Sequence, residues 1–231
     1  MKKASIAAAV VVLTFASTLA WAHVTVASGP AFANTSQEIT FSVGHGEDNA
    51  DTSSVRIEVP ASVASVKAER SDFSAPAIET DNTGVTTAVS WHKPDSELLP
   101  ADYGYYKLTM RVKVPNAPFT TVYFPAHQVC MHTDGGIIPV DWVGTTAADA
   151  DAGIEPAPAL IILPARQPGW NRFTVPVAVS ALSTYFSDAQ IVWKGTSAYS
   201  ANPNTASQIG NTSGVFALTA LAAGDEIWVK Y

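Results

Sequence analysis

Residues 53–60 read SSVRIEVP, in which Val55, Ile57 and Val59 alternate with Arg56 and Glu58. A two-residue period belongs to a strand with one face in a core and the other in water. Short runs of β-branched and aromatic residues recur at 38–43, 85–91, 105–114, 119–124 and 139–143, with turn residues between them and no long helical period. The pattern predicts an all-β chain whose first part is an antiparallel β-sandwich.

Farther along, the composition shifts to Ala, Asp, Thr, Gly and Pro over 146–158, which reads as a linker. Beyond it, 159–163, 173–179, 189–194, 214–218 and 226–231 read as strands, and 181–186 as one helical turn. The expected organisation is a sandwich over 23–145 followed by a smaller β-rich module over 159–231, a size that is marginal but feasible. The aromatics of that module, Trp170, Phe173, Tyr185, Phe186, Trp193, Tyr199 and Trp228, are expected in its core, with a carbohydrate-binding surface as the alternative. The stretch AYSANPNTA, residues 198–206, is polar and turn-rich and reads as a connection or a binding loop.

The chain opens with Lys2 and Lys3, an uncharged apolar run over 4–15 and the small-residue triplet Ala20-Trp21-Ala22. That is the form of a signal peptide over 1–22, cut before His23, and no later run approaches the ~18 apolar residues of a membrane span. The expectation is an exported protein, periplasmic or extracellular, with no membrane span after cleavage. Without the two leader lysines, eleven basic residues face twenty acidic ones, a formal charge of −9. Nucleic acid and anionic lipid need a basic surface, so neither is expected as a partner; a cation suits this balance better. The single cysteine, Cys130, has no internal partner, so the fold must rest on its core.

Cleavage before His23 would leave a free α-amine beside an imidazole Nδ1. Those two nitrogens close a chelate ring, and nitrogen-rich tetragonal sites favour Cu(II) on geometry and on the Irving–Williams order. Any residue can stand at a cleavage point by chance, so the reading needs support from elsewhere in the chain.

That support comes from five segments in order: HVTV from His23, FSVGHGEDNADTSSVRIEVP (41–60), LLPADYGYYKLTMRVKVP (98–115), VYFPAHQVC (122–130) and VDWVG (140–144). Together they resemble the exported YcnI-like copper-binding family. The resemblance implies a β-sandwich whose mature N-terminal histidine chelates Cu(II) as a mono-histidine brace, with a glutamate completing the site and a tryptophan beside the metal. The tryptophan carries over to Trp142. The glutamate does not, because Lys107 stands at its place, and an ammonium has no lone pair to offer a cation.

Asp102, at the start of the same strand, and Asp141, before Trp142, are the carboxylates available to replace it, although each also reads as an ordinary solvated acid. In a regular strand Asp141 faces away from Trp142. His45, between Gly44 and Gly46, is expected in a turn where the glycines permit positive φ; His92 is expected at a strand end on the surface. In HQVCMH, residues 127–132, His127, Met131 and His132 add ligands suited to copper in either oxidation state. A strand would put Gln128, Cys130 and His132 on one face and His127 and Met131 on the other. Cys130 and Met131 also read as core residues.

The candidate ligands are thus His23, Asp102, His127 and His132, with Trp142 alongside. The expected role is Cu(II) capture, storage or hand-over to a periplasmic copper chaperone or a membrane copper transporter, without turnover. Two other classes stay open: a lytic monooxygenase-like copper enzyme, which needs a second histidine at the metal, and a metal-free adhesion or scaffold protein. There is no Gly-x-Ser-x-Gly and no His-Glu-x-x-His to support a hydrolase.

Overall fold

The computed structural model describes residues 23–71 and 73–231; the expected signal peptide, 1–22, lies outside the described residues. In chain order the first thirteen strands are β1 (Val24–Val26), β2 (Ala31–Phe32), β3 (Ser36–Val43), β4 (Asp51–Glu58), β5 (Ala64–Ala68), β6 (Ala77–Thr80), β7 (Thr86–His92), β8 (Tyr106–Lys113), β9 (Thr120–Tyr123), β10 (Ala126–Met131), β11 (Ile137–Gly144), β12 (Glu155–Pro156) and β13 (Ala159–Leu163), with helix α1 (Ala147–Asp151) before β12. They are followed by β14 (Trp170–Thr174), α2 (Leu182–Phe186), β15 (Ile191–Lys194), β16 (Ser197–Tyr199), α3 (Pro203–Asn211), β17 (Phe216–Ala217) and β18 (Glu226–Lys230).

The first part is a sandwich, as the alternation predicts. A four-stranded sheet, β1-β3-β8-β5, packs on a six-stranded one, β12-β11-β10-β4-β7-β6, and a small sheet, β2-β13-β9, adds a third wall. Ile39, Phe41, Leu108 and Met110 from one side meet Val55, Ile57, Val89, Trp91 and Trp142 from the other, with Leu160 and Ile162 between. Each such side chain taken wholly from water contributes roughly 1.5–3 kcal/mol, and these side chains hold the sheets together without a disulfide, Cys130 being a free thiol.

Two boundaries differ from expectation. Residues 146–158 are not a free linker: Thr146 caps α1 in a capping box with Asp149, and β12 pairs parallel to β11 at Trp142 and Gly144. Strand β13, expected in the second module, pairs with β9 and β2 and buries Leu160 and Ile162 in the first core. A continuous apolar strand such as ALIIL carries no mark of which sheet it joins.

The second module is the five-stranded sheet β14-β18-β15-β16-β17, whose inner face packs Val192, Ile227 and Val229 against Leu182 and Phe186 of α2. Its first strand lies at 170–174 rather than 173–179, so Trp170 and Phe173 point to opposite faces. The polar stretch at 198–206 runs into α3, where Asn202 accepts from Asn204 N–H and Pro203 occupies the first turn.

The two parts are joined by side chains. Phe119, just ahead of β9, reaches into the second core beside Phe173, Tyr185 and Phe186. Arg166 lies over the rings of Phe32 and Tyr231 and pairs with Asp188, whose carboxyl it holds below the usual carboxylate range.

Candidate functional site

Strand β10 turns Ala126, Gln128 and Cys130 inward, and Trp142 of β11 stands directly opposite Ala126. Trp142 is 1% exposed, and its indole N–H donates to Gln128 Oε1 at 3.1 Å. An indole nitrogen can only donate, so this bond sets which end of the Gln128 amide is oxygen. The amide nitrogen then donates to Thr52 Oγ1 at 2.8 Å and to the His45 carbonyl at 3.1 Å. With both ends of a buried amide satisfied, the Trp142 ring is held in one orientation. The His23 imidazole lies against that ring, with centroids 5.3 Å apart and planes tilted by 38°.

The GHGED turn closes over this network. Asp102 Oδ1 accepts from Gly46 N–H at 2.5 Å, and its other oxygen is 3.7 Å from His45 Nδ1, which donates to the Gly46 carbonyl. Neither Gly44 nor Gly46 has positive φ, contrary to expectation; the left-handed residues are Asp48 and Asn49. Gly46 is required by close approach instead, since a Cβ there would lie 1.8 Å from the Ala50 carbonyl oxygen.

Beside it is a second polar cluster. A β-bulge at Val129–Cys130 breaks the alternation of β4, so Asp51, Thr52 and Ser53 are buried in succession. Asp51 Oδ2 takes the Lys93 ammonium at 2.5 Å and the Leu99 N–H at 2.8 Å, and Oδ1 takes the Tyr106 hydroxyl at 2.5 Å. Lys93 also lies 4.2 Å from the Tyr106 ring centroid and 5.2 Å from that of Phe73. Burial first, and the bond to Asp51 second, push the Tyr106 phenol well above its ordinary pKa.

Of the residues selected from sequence, His23 and Trp142 meet. Asp102 belongs to the GHGED turn, joined to Trp142 only through His45 and Gln128. His127 does not belong with them: it faces the opposite side of β10, its Nδ1 donates to Asp141 at 2.6 Å, and its Nε2 is 3.3 Å from Glu58. The two-residue period decides this, and it carries Asp141 away from Trp142 too. His132 follows the end of β10, six residues past Ala126 and so about 20 Å along the strand from the Trp142 end. Lys107 is exposed on the outer face of β8, across from Ser42, and no glutamate stands at that position. Among the described residues no group of three or more His, Cys, Asp or Glu side chains is gathered to hold a metal ion.

Gln128, Asp51, Lys93 and Tyr106 were not selected from sequence as site residues. Four polar residues, Asp51 to Ser54, stand ahead of VRIEV and carry no mark of burial; only the bulge buries the first three. Cys130 is buried, with its thiol pushed up to about 11 mainly by burial. Maleimide labelling of the native protein at pH 8 should therefore run roughly 10²-fold slower than in urea, rising with pH. Equal rates in the two conditions would contradict this burial.

Two crystal structures are similar to parts of the chain. An uncharacterized protein from Nocardia farcinica with an immunoglobulin-like fold is 24% identical, with 61% of this chain and 97% of that one covered, at a TM-score of 0.48. The major pilin subunit BcpA of Bacillus cereus, as its D312A form, is 12% identical over 64% of this chain and 40% of that one, at a TM-score of 0.36. No curated protein matches. A family profile described as "Domain of unknown function (DUF1775)" matches residues 23–162, a span that begins at His23 and ends within β13.

Proposed function

The chain belongs to the DUF1775 family, and from that premise we propose that its mature form binds Cu(II) through the α-amine and imidazole of His23, beside Trp142. The observation that carries this reading is the contact between the His23 ring and a tryptophan that Gln128 holds rigid. In the full chain the His23 nitrogen is a peptide nitrogen; removal of the leader turns it into an amine, and one residue then offers two donors. Trp142 supplies an apolar wall against one side of the imidazole. Remaining positions on the ion would be filled by water or by a donor from a partner.

Copper is cargo in this reading. The protein is exported, takes up Cu(II) in the periplasm or at the cell surface, and gives it to a copper chaperone or membrane transporter. A site held by one residue at the mature chain terminus releases its ion by breaking few bonds, which suits hand-over. The role is binding rather than turnover. The runner-up, a lytic monooxygenase-like reading, needs a second histidine nitrogen at the ion, from His127, His92 or His132; the outward direction of His127 and the distance of His132 along β10 favour the binding reading.

The test is titration of the cleaved protein with Cu(II), followed by electron paramagnetic resonance, beside the same chain carrying one alanine before His23. The expected result is a one-to-one tetragonal nitrogen signal that changes or disappears in the extended chain and in His23→Ala. Identical spectra in the two chains would overturn the His23 chelate, and no specific binding in either would favour a metal-free scaffold.

A further inference from the structure

The outer face of the second module carries three tryptophans outside its core, two of them half exposed. Its inner face already has a core, from Val192, Ile227 and Val229 packed against α2. On the other side Trp193 of β15 stands directly opposite Trp228 of β18, and Trp170 of β14 lies across β18, two residues before the partner of Trp228. Trp170 is 53% exposed and Trp228 50%. With Gly195 at the β15–β16 turn, the three rings line one shallow open cleft. Helix α3 covers the β16–β17 end of this same face, so Trp193 borders the helix on one side and the cleft on the other.

Large aromatic side chains gain most from burial, so three of them gathered on a solvated face mark a surface that meets something else. The rim indicates what. Arg172, opposite Trp228, gives its guanidinium to both oxygens of Glu226, and Lys194 is paired with Asp225. Arg172 is therefore compensated, and Lys230, directly opposite Trp170 on the same face, adds a single positive charge at one end of the row, too little to select a polyanion over a neutral chain. Flat indole faces ringed by paired polar groups complement a neutral molecule with apolar faces and hydroxyl edges. Pyranose sugars have that form: their axial C–H groups stack on an indole, and their equatorial hydroxyls reach Arg172, Glu226 and the indole N–H groups. The rings span three adjacent strands, about 10 Å, and the cleft is open, which fits a polymer segment better than one enclosed sugar.

We infer that the face formed by Trp170, Trp193 and Trp228 binds a neutral polysaccharide chain. The site is independent of His23, and it would hold the exported protein on a glycan surface.

The experiment uses the full mature chain and measures retention on insoluble cellulose, chitin, xylan, β-1,3-glucan, mannan and starch, followed by calorimetry with the soluble hexamer of any polymer that retains it. Retention on at least one neutral glycan is expected, with tryptophan fluorescence altered by the hexamer. Trp170→Ala and Trp228→Ala should each weaken binding about tenfold or more, Trp228→Phe less, with the melting temperature and the Cu(II) spectrum unchanged. Failure to bind any of the six polymers overturns the proposal, as does retention that survives the Trp170→Ala/Trp228→Ala double variant. Sedimentation of the same proteins covers the other occupant: a dimer that these variants dissociate would assign the face to self-association instead.

Discussion

Replacing Asp51 with alanine should destabilise the protein by about 3–5 kcal/mol, because it strands a buried cation. Lys93 is 4% exposed and Asp51 1%. Without the carboxylate the ammonium keeps only the Tyr106 oxygen and two ring faces, while the Leu99 N–H and the Tyr106 O–H both lose their acceptor. Urea unfolding measures the loss directly, and the melting temperature should fall by on the order of 10 °C. Adding Lys93→Met to Asp51→Ala should recover much of the stability, since an apolar pair of similar volume avoids the desolvation of both charges. A loss under about 1 kcal/mol in the single variant would mean that water reaches this cluster. The same cluster sets an alkaline limit. Tyr106 has a folded pKa raised above its unfolded value of ~10, so its contribution is complete below that pH and is lost as pH rises toward the folded value. Stability should therefore begin to fall near pH 10, and Tyr106→Phe should flatten that fall.

Phe119→Ala should cost about 3–5 kcal/mol, the range for removing a buried phenylalanine, with the damage concentrated in residues 170–231. The ring belongs to the second core, with centroids 6.1 Å from Phe173, 5.7 Å from Tyr185 and 5.6 Å from Phe186. The backbone belongs to the first part, since Phe119 N–H donates to the Ile162 carbonyl. Its φ of +63° is left-handed, a conformation costing a non-glycine residue roughly 1–2 kcal/mol. The ring contacts must exceed that strain for the conformation to persist. Phe119→Gly would relieve the strain while losing the same ring, so it should be somewhat less damaging than Phe119→Ala. Amide exchange should quicken in β14, β15 and β18 while β3, β4 and β8 stay protected. Unchanged protection in the second module, or a loss below about 1 kcal/mol, would show that Phe119 does not couple the two parts.

Strand positions in the sandwich were legible because each strand has one wet face, and wetness leaves a two-residue period in the sequence. The runs expected at 38–43, 105–114 and 139–143 correspond to β3, β8 and β11 with no end moved by more than two residues. The same rule separates Asp141 from Trp142 and His127 from Gln128. It fails at Asp51–Ser53, where an extra residue in β4 turns consecutive polar side chains inward and builds the Lys93 cluster. It also misassigns Trp170 and Trp228, expected in the second core with Phe173, Tyr185, Phe186 and Tyr199, which do pack there. Phe173 and Trp170 are equally apolar, and only the register of β14 against β18 puts one inside and the other in solvent.

What the sequence determined by itself is what local chemistry carries: an all-β chain, a leader-like N-terminus, an acidic surface and the pairing of His23 with Trp142 through a family resemblance. Tertiary structure alone decided which sheet each strand joins, which polar groups are buried and which large aromatics face water. Those outcomes depend on partners distant in the chain. Asp51 meets Tyr106 across 55 positions, and Trp193 meets Trp228 through a register that no local pattern encodes.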